Sequence, residues 1–485
     1  MKKAIVIGAG FGGIAAALRL RKKGYEVELV DRCNNLGGRA QVFYKNGFKH
    51  DAGPTLITAP FLLEELFLLF NKDISKYVEL KSIDPWYRFI YDDGTIFDYS
   101  RSLEKTIDNI KKIDEIDAAN YKSLLNASKN IYDIAFTKLA DKPFHSFYFM
   151  LKQLPALVKF RADLSVYQFV SRYLKHDKLR RAFSIQPLLV GGNPFTTTSI
   201  YSLIHYLERK HGVYFAMGGT GNLVNALGRL MDETGIKISL NKTIEKIKIE
   251  DDKIIEIIDH NGIKNRADIY VSNIDPMYLY KNLIKTDKSF SINIKTKLAR
   301  HSMGLFVLFF GTKKKYTNIK HHTILFGREY EKLLNKIFSI NILPKDISIY
   351  LHRPTATDES FAPNQCDSYY ALVPVPNLGS NINWIKDGNY FKNLVIDVLE
   401  KKLLKDLKKF IVDDFFMTPL DFKEKYLSYL GTGFSVAPYF TQSAWFRFHN
   451  KSEVIKNLIL VGAGTHPGAG IPGVISSAKV IERFL

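Results

Sequence analysis

Ala4 to Ile7 is a short apolar run that breaks off in Gly8-Ala9-Gly10-Phe11-Gly12-Gly13, and an Ala- and Leu-rich pattern at helical spacing follows through Leu20. This order predicts a strand, a tight turn and a helix, which Gly24 ends. Val27 to Val30 predicts a second buried strand stopping at Asp31. The same grammar returns at the far end, where Asn457 to Val461 reads as a buried strand and Gly462 to Gly473 as a glycine- and proline-rich loop. Val474 to Leu485 has the spacing of a closing helix. Between these ends, Gly218-Gly219-Thr220 opens a helix over Asn222 to Thr234, and strands are predicted around Ile236–Leu240, Thr243–Ile249, Lys253–Asp259 and Ala267–Val271. Further apolar strands are predicted near Tyr87–Phe97, Gly304–Phe310, Ser348–His352 and Tyr369–Val373, and residues 105–210 are mostly helical.

The strand, glycine turn and helix at the start form a dinucleotide-binding fingerprint. Gly8 permits the turn, Gly10, Phe11 and Gly12 bring backbone to a pyrophosphate, and Gly13 allows the helix to pack on the strand. Asp31 lies 18 residues beyond Gly13, where the fold needs an acceptor for ribose hydroxyls, with Arg32 beside it. NAD and FAD both fit this pattern. Leu36-Gly37-Gly38-Arg39 adds a second close backbone approach and a cation for a pyrophosphate or flavin, and Gly53-Pro54-Thr55 adds a further rigid turn. Gly462, Gly464, Gly470, Ile471, Pro472, Gly473 and Val474 then bring a helix N-terminus to whatever lies before them. A reduced flavin gathers negative charge at one ring edge, so this second site points to FAD, with the flavin as hydride acceptor. His466 is the weak candidate for a base, since a histidine between Thr and Pro in a tight loop is more often structural.

The 485 residues exceed one ordinary core, so two or three domains are expected, and the composition is that of a soluble globular chain. A net charge of +20 favours anionic surfaces, but the lysines are spread along the whole chain and no nucleic-acid motif appears, so nucleic acid is not expected as a partner. Cys33 and Cys366 make no disulfide framework, and no secretion signal opens the chain, which together predict a reducing, cytoplasmic location. Apolar stretches are interrupted by charge well before the roughly 20 residues that a spanning helix needs. Phe144 to Phe160, flanked by Lys152, Lys159 and Arg161, is an aromatic-rich amphipathic stretch suited to a membrane interface.

The segment Val461 to Val474 is similar, almost letter for letter, to the carboxyl-terminal signature of the bacterial and fungal type of phytoene desaturase, within the amine-oxidase-like flavoproteins. Leu189 to Phe195, Ser199 to His205, Gly212 to Phe215, Gly218 to Val224, His321 to Gly327, Tyr350-Leu351-His352, Leu372 to Pro376 and Thr441 to Phe446 resemble family segments in family order. The resemblance implies an α/β fold: a Rossmann-type FAD-binding domain, an interleaved β-sheet substrate domain and a helical, membrane-facing domain. We place these at 1–75, 212–290 and 425–485 (FAD), 76–104 and 291–424 (substrate), and 105–211 (helical). It further implies that backbone near Ile244 meets the adenine, and that the substrates are phytoene and partly desaturated carotenes taken from peripheral contact with membrane lipid. Quinone or oxygen would reoxidise the flavin. Two departures stand out: Asp31 occupies a position where glutamate is usual, and Ser146-Phe147-Tyr148-Phe149 replaces a frequent Arg-Asp pair. A carotenoid isomerase, another amine-oxidase-like flavoenzyme, or a non-redox prenyl-lipid binding protein of the same fold stay open as alternatives.

Overall fold

Strands Lys3–Ile7 and Glu26–Val30 pair in parallel, and the long excursions of the chain return to the same sheet. In the computed structural model, which describes residues 1–284, 289–340 and 342–485, this sheet has five parallel strands. From one edge they are Leu458–Leu460, Ile269–Ser272, Lys3–Ile7, Glu26–Val30 and Lys237–Ser239. A parallel sheet is buried on both faces, which is why Ala4 to Ile7, Ile269 to Val271 and Leu458–Leu460 read as unbroken apolar runs, whereas at the other edge Glu28 and Lys237 interrupt their strands and pair with each other at 3.1 Å. The first helix, Phe11–Lys22, packs on the sheet beside the final helix, Ile471–Val480, so the two chain ends share one core. That final helix starts three residues before the predicted Val474, because Gly470 at φ +89° makes the turn and Pro472 tolerates the first helical positions. The predicted helix after Gly219 is present as Thr220–Glu233, and strand Lys253–Asp259 appears with its predicted ends.

A second sheet has seven strands in the order Ile411–Met417, Gly304–Thr312, Asp367–Val375, Ile349–His352, His322–Leu325, Tyr87–Ile90 and Ile96–Tyr99. The region predicted near Tyr87–Phe97 forms a hairpin turned at Gly94, which sits at φ +85°. Every residue of Gly304–Thr312 is buried. Its side chains alternate by the strand period. Phe306, Leu308 and Phe310 join Tyr369, Ala371 and Val373 beneath helix Trp384–Lys402, whereas Leu305 and Val307 join Tyr370 and Leu372 on the opposite face. That opposite face is the wall of the site described next.

Residues 103–211 are largely helical. Within them, helices Phe147–Leu151 and Leu154–Lys159 turn apolar side chains outward: Tyr148 is 68% and Val158 71% exposed. Among the described residues, no helix is long and apolar enough to cross a membrane.

Candidate active site

Three glycine turns meet at the carboxyl ends of the parallel strands. The Gly37 N–H donates to the Ala9 carbonyl at 2.8 Å, and Gly10 pairs with Gly37 as an isolated bridge, which joins the first two turns. A Cβ on Gly38 would lie 3.2 Å from the Gly10 Cα, so the two glycine backbones touch. The third turn comes from the other end of the chain, and a Cβ on Gly12 would lie 3.1 Å from the Gly462 Cα. Residues separated by some 450 positions thus build one surface.

A cavity of about 570 Å³ opens against this surface, within the range typical of ligand and cofactor sites. All of the residues proposed from sequence as cofactor contacts line it except Gly13, Gly462 and Gly464. Those three stand behind its wall. A Cβ on Gly13 would fall inside the Gly8 carbonyl oxygen, one on Gly462 into the Asn273 amide, and one on Gly464 into the Pro276 ring. Their role is close packing of backbone, with no atom presented to the cavity.

Asp31 sits at the edge of the cavity with both carboxylate oxygens already engaged. Oδ2 accepts from the Ala9 N–H at 2.5 Å and Oδ1 from the Cys33 N–H at 2.7 Å. It therefore pins the first glycine turn to the end of the second strand. The Arg32 Nη1 is buried and has no protein partner. Neither the first nor the final helix has a side chain capping its N-terminal N–H groups, and both start at the cavity, at Gly10 and Gly470. An unpaired guanidinium, two open helix N-termini and a side-chain-free cradle fit the phosphates and the electron-rich ring edge of a bound FAD. Arg39 donates to the Gly433 carbonyl. Burial pulls its guanidinium below the ordinary value, with Asp275 working against that.

His466 lines the cavity, buried against Phe144 with ring centroids 4.6 Å apart, and both its ring nitrogens lack a partner. Burial pushes its pKa down to about 3, so it stands neutral and is a poor proton acceptor. Asp275 was not legible as a site residue; burial raises its carboxyl above the ordinary range despite the nearby Arg39. Asn273, which touches Gly8, Gly10, Gly12 and Gly462, was missed as well. The only signal was the polar step after strand Ile269–Ser272.

Away from the turns the cavity is apolar. It runs between Leu305, Val307 and Leu372 of the seven-stranded sheet and Ala156, Leu157 and Phe160 of the helical region. One wall carries hydroxyls: Thr55 Oγ1 is 3.0 Å from the Tyr350 hydroxyl and 3.1 Å from that of Tyr370. Of these, only Thr55 was a candidate from sequence.

Residues 11–480 match the flavin containing amine oxidoreductase family. The chain is 42% identical to the lycopene-forming phytoene desaturase of Pantoea ananas, covering 100% of this chain and 99% of that one. It is 38% identical to the neurosporene-forming phytoene desaturase of Rhodobacter capsulatus, over 100% and 94%. Among solved structures, an oxidoreductase from Methanosarcina mazei superposes with a TM-score of 0.68 at 15% identity, covering 99% of this chain and 100% of that one. A putrescine oxidase variant superposes with a TM-score of 0.64 at 11% identity, covering 99% of each chain, so both share the fold. The chain therefore belongs to the flavin-containing amine oxidoreductases, within them to the phytoene desaturase family, and its cofactor is FAD.

Proposed function

We propose that this protein dehydrogenates phytoene in steps toward lycopene or a near product. The observation that carries this reading is the continuity of one cavity, from the glycine cradle at one end to an apolar passage between sheet and helices at the other. Each step removes a hydride and a proton from adjacent saturated carbons, and bound FAD accepts the hydride. The passage excludes water and holds an extended hydrocarbon against the cradle by apolar contact alone. A polyene left positive by hydride loss spreads that charge along its conjugation. The proton then needs no strong base, in keeping with a His466 that burial keeps neutral.

Gly8 to Gly12, Asp31, Arg32 and Gly37 to Arg39 would hold the pyrophosphate and ribose, Ile244 the adenine, and Gly470 to Val474 the ring edge. On this reading the chain divides as proposed from sequence: residues 1–75, 212–290 and 425–485 carry FAD, 76–104 and 291–424 the substrate, and 105–211 the membrane contact. Quinone or oxygen would accept the electrons. The test is FAD-loaded protein with phytoene in liposomes, with and without quinone. Stepwise gain of visible absorption is the expected result; isomerised phytoene without added conjugation would point to an isomerase, and an unchanged substrate would sink the proposal.

The helix pair Phe147–Leu151 and Leu154–Lys159 supplies the substrate entrance in this reading. Met150, Ala156 and Leu157 face the cavity, while Phe147, Tyr148 and Val158 face outward, and the Lys152 ammonium sits 4.6 Å from the Tyr148 ring centroid. Apolar surface rimmed by lysine suits the headgroup boundary of an anionic bilayer. Changing Tyr148 and Val158 together to aspartate is expected to weaken sedimentation with anionic liposomes about tenfold or more, at roughly 1.4 kcal/mol per decade. Equal sedimentation of the variant would place the membrane contact elsewhere.

A further inference from the structure

Three buried histidines meet behind the hydroxyl wall of the cavity. His322 and His352 stand directly opposite each other in the antiparallel pair His322–Leu325 and Ile349–His352, and His321 precedes the first of these strands. Their exposures are 4% for His321 and 0% for the other two. One ring nitrogen from each lies within 4.8 Å of the others. Two rings are already held from outside: His321 Nδ1 is 2.6 Å from Thr357 Oγ1, and His322 Nδ1 is 2.7 Å from the Tyr350 hydroxyl. The Nε2 atoms of both, and both ring nitrogens of His352, have no partner.

A buried polar atom without a partner is destabilising, and here four occur in one cluster. An imidazole whose N–H is tied to an oxygen on one side offers a lone pair on the other, the arrangement found where histidine binds a metal. Burial keeps all three rings neutral, which leaves those lone pairs free. We propose that His321, His322 and His352 form a site for a first-row divalent transition ion. An all-imidazole set suits Zn²⁺ and disfavours Mg²⁺ and Ca²⁺, which prefer oxygen. Nitrogens about 2.1 Å from a shared tetrahedral ion stand roughly 3.4 Å apart, so ring rotations must close the present spacing. The neighbouring Arg353 is no bar, because its guanidinium is held by Asp367 at 3.0 and 3.1 Å. Through His322 the ion would fix the Tyr350 hydroxyl, and through that Thr55, as a pin for the cavity wall.

FAD-loaded, full-length protein is stripped with chelator, reloaded with Zn²⁺, desalted and assayed for zinc by atomic emission. About one zinc per chain is expected, falling at least about tenfold in His322→Gln and His352→Gln. Zinc at background in the wild-type protein overturns the proposal, as does full zinc retention in variants that still carry flavin. Co²⁺ loading guards against variants that fail to fold. The wild-type protein should then show the intense visible bands of a low-coordinate site, and the weak bands of a six-coordinate surface ion would overturn it.

Discussion

Changing Gly13 to alanine is expected to yield protein without flavin. Gly13 lies in the first turn of the helix Phe11–Lys22, and its added Cβ would occupy the space of the Gly8 carbonyl oxygen. The clash is with backbone, so no rotamer change relieves it. Gly8 itself is held at φ +102° in the turn, and Asp31 fixes that turn by accepting from Ala9. Either the helix lifts from the sheet or the turn leaves the cavity. Overpacking of this kind costs about 1–3 kcal/mol or more, and displacement of the turn removes the pyrophosphate cradle as well. Gly24→Ala is the control. Gly24 stands at a positive φ of +89°, unlike the helical Gly13, but nothing lies within 4 Å of its added Cβ. Strain of about 1 kcal/mol should lower its stability without changing flavin content. The ratio of flavin to protein absorbance in the purified variants checks both; a Gly13→Ala protein with wild-type flavin content would refute the packing argument.

The cofactor end of the molecule was legible because its chemistry depends on backbone. Close approach to phosphate needs glycine, and glycine is visible in a sequence wherever it stands. Gly8, Gly10, Gly12, Gly37-Gly38, Gly470 and Gly473 accordingly line one cavity, though nothing in the sequence measures the distance between the two ends. The distinction between glycines that face the cavity and those that pack behind it was not legible. It depends on what each missing Cβ would meet, as Gly462 against Asn273 illustrates.

The substrate side was harder to read for a different reason. Its sheet is assembled from strands far apart in the chain, and its edge strand, Ile411–Met417, is interrupted by Asp413 and Asp414, which obscure the apolar pattern. In the fold Asp413 is buried beneath Lys45, its carboxylate 2.7 Å from the ammonium and 3.8 Å from His50. A carboxylate can sit in a strand when a distant residue partners it, and sequence order does not reveal that partner. The Thr55, Tyr350 and Tyr370 hydroxyls were hidden in the same way, since their contacts span about 300 residues.

Acidification is expected to destabilise the protein steeply below pH 6.5. Burial pushes the pKa of His50 and His301 down to about 4 and that of His205 and His466 to about 3. Well above pH 6.5 these groups are neutral in both folded and unfolded chains and contribute no slope. Below it the unfolded chain takes up protons that the folded chain refuses, so stability present at neutral pH is lost as the pH falls toward 3–4. Two carboxyls act in the opposite direction. Burial raises Asp51 to about 7, against the N–H of Thr220 that its oxygens accept, and raises Glu208 to about 7, against the Tyr87 hydroxyl. Between pH 7 and about 4 the folded chain holds these protons and the unfolded chain releases them, which favours the folded state on acidification. These four histidines against two carboxyls account by themselves for a net uptake of about two protons on unfolding near pH 5, or roughly 3 kcal/mol per pH unit, and His321, His322 and His352, which burial also holds neutral, act in the same direction. Against a total stability of about 5–15 kcal/mol this is a large slope. Urea unfolding of the FAD-loaded protein at pH 7, 6 and 5 should show it. His205→Asn, which removes one ring that refuses a proton, should flatten the slope by about one proton, near 1.4 kcal/mol per pH unit. Stability that stays level or rises from pH 6.5 to pH 5 would mean that these histidines titrate normally, and that water reaches the interior in which they lie.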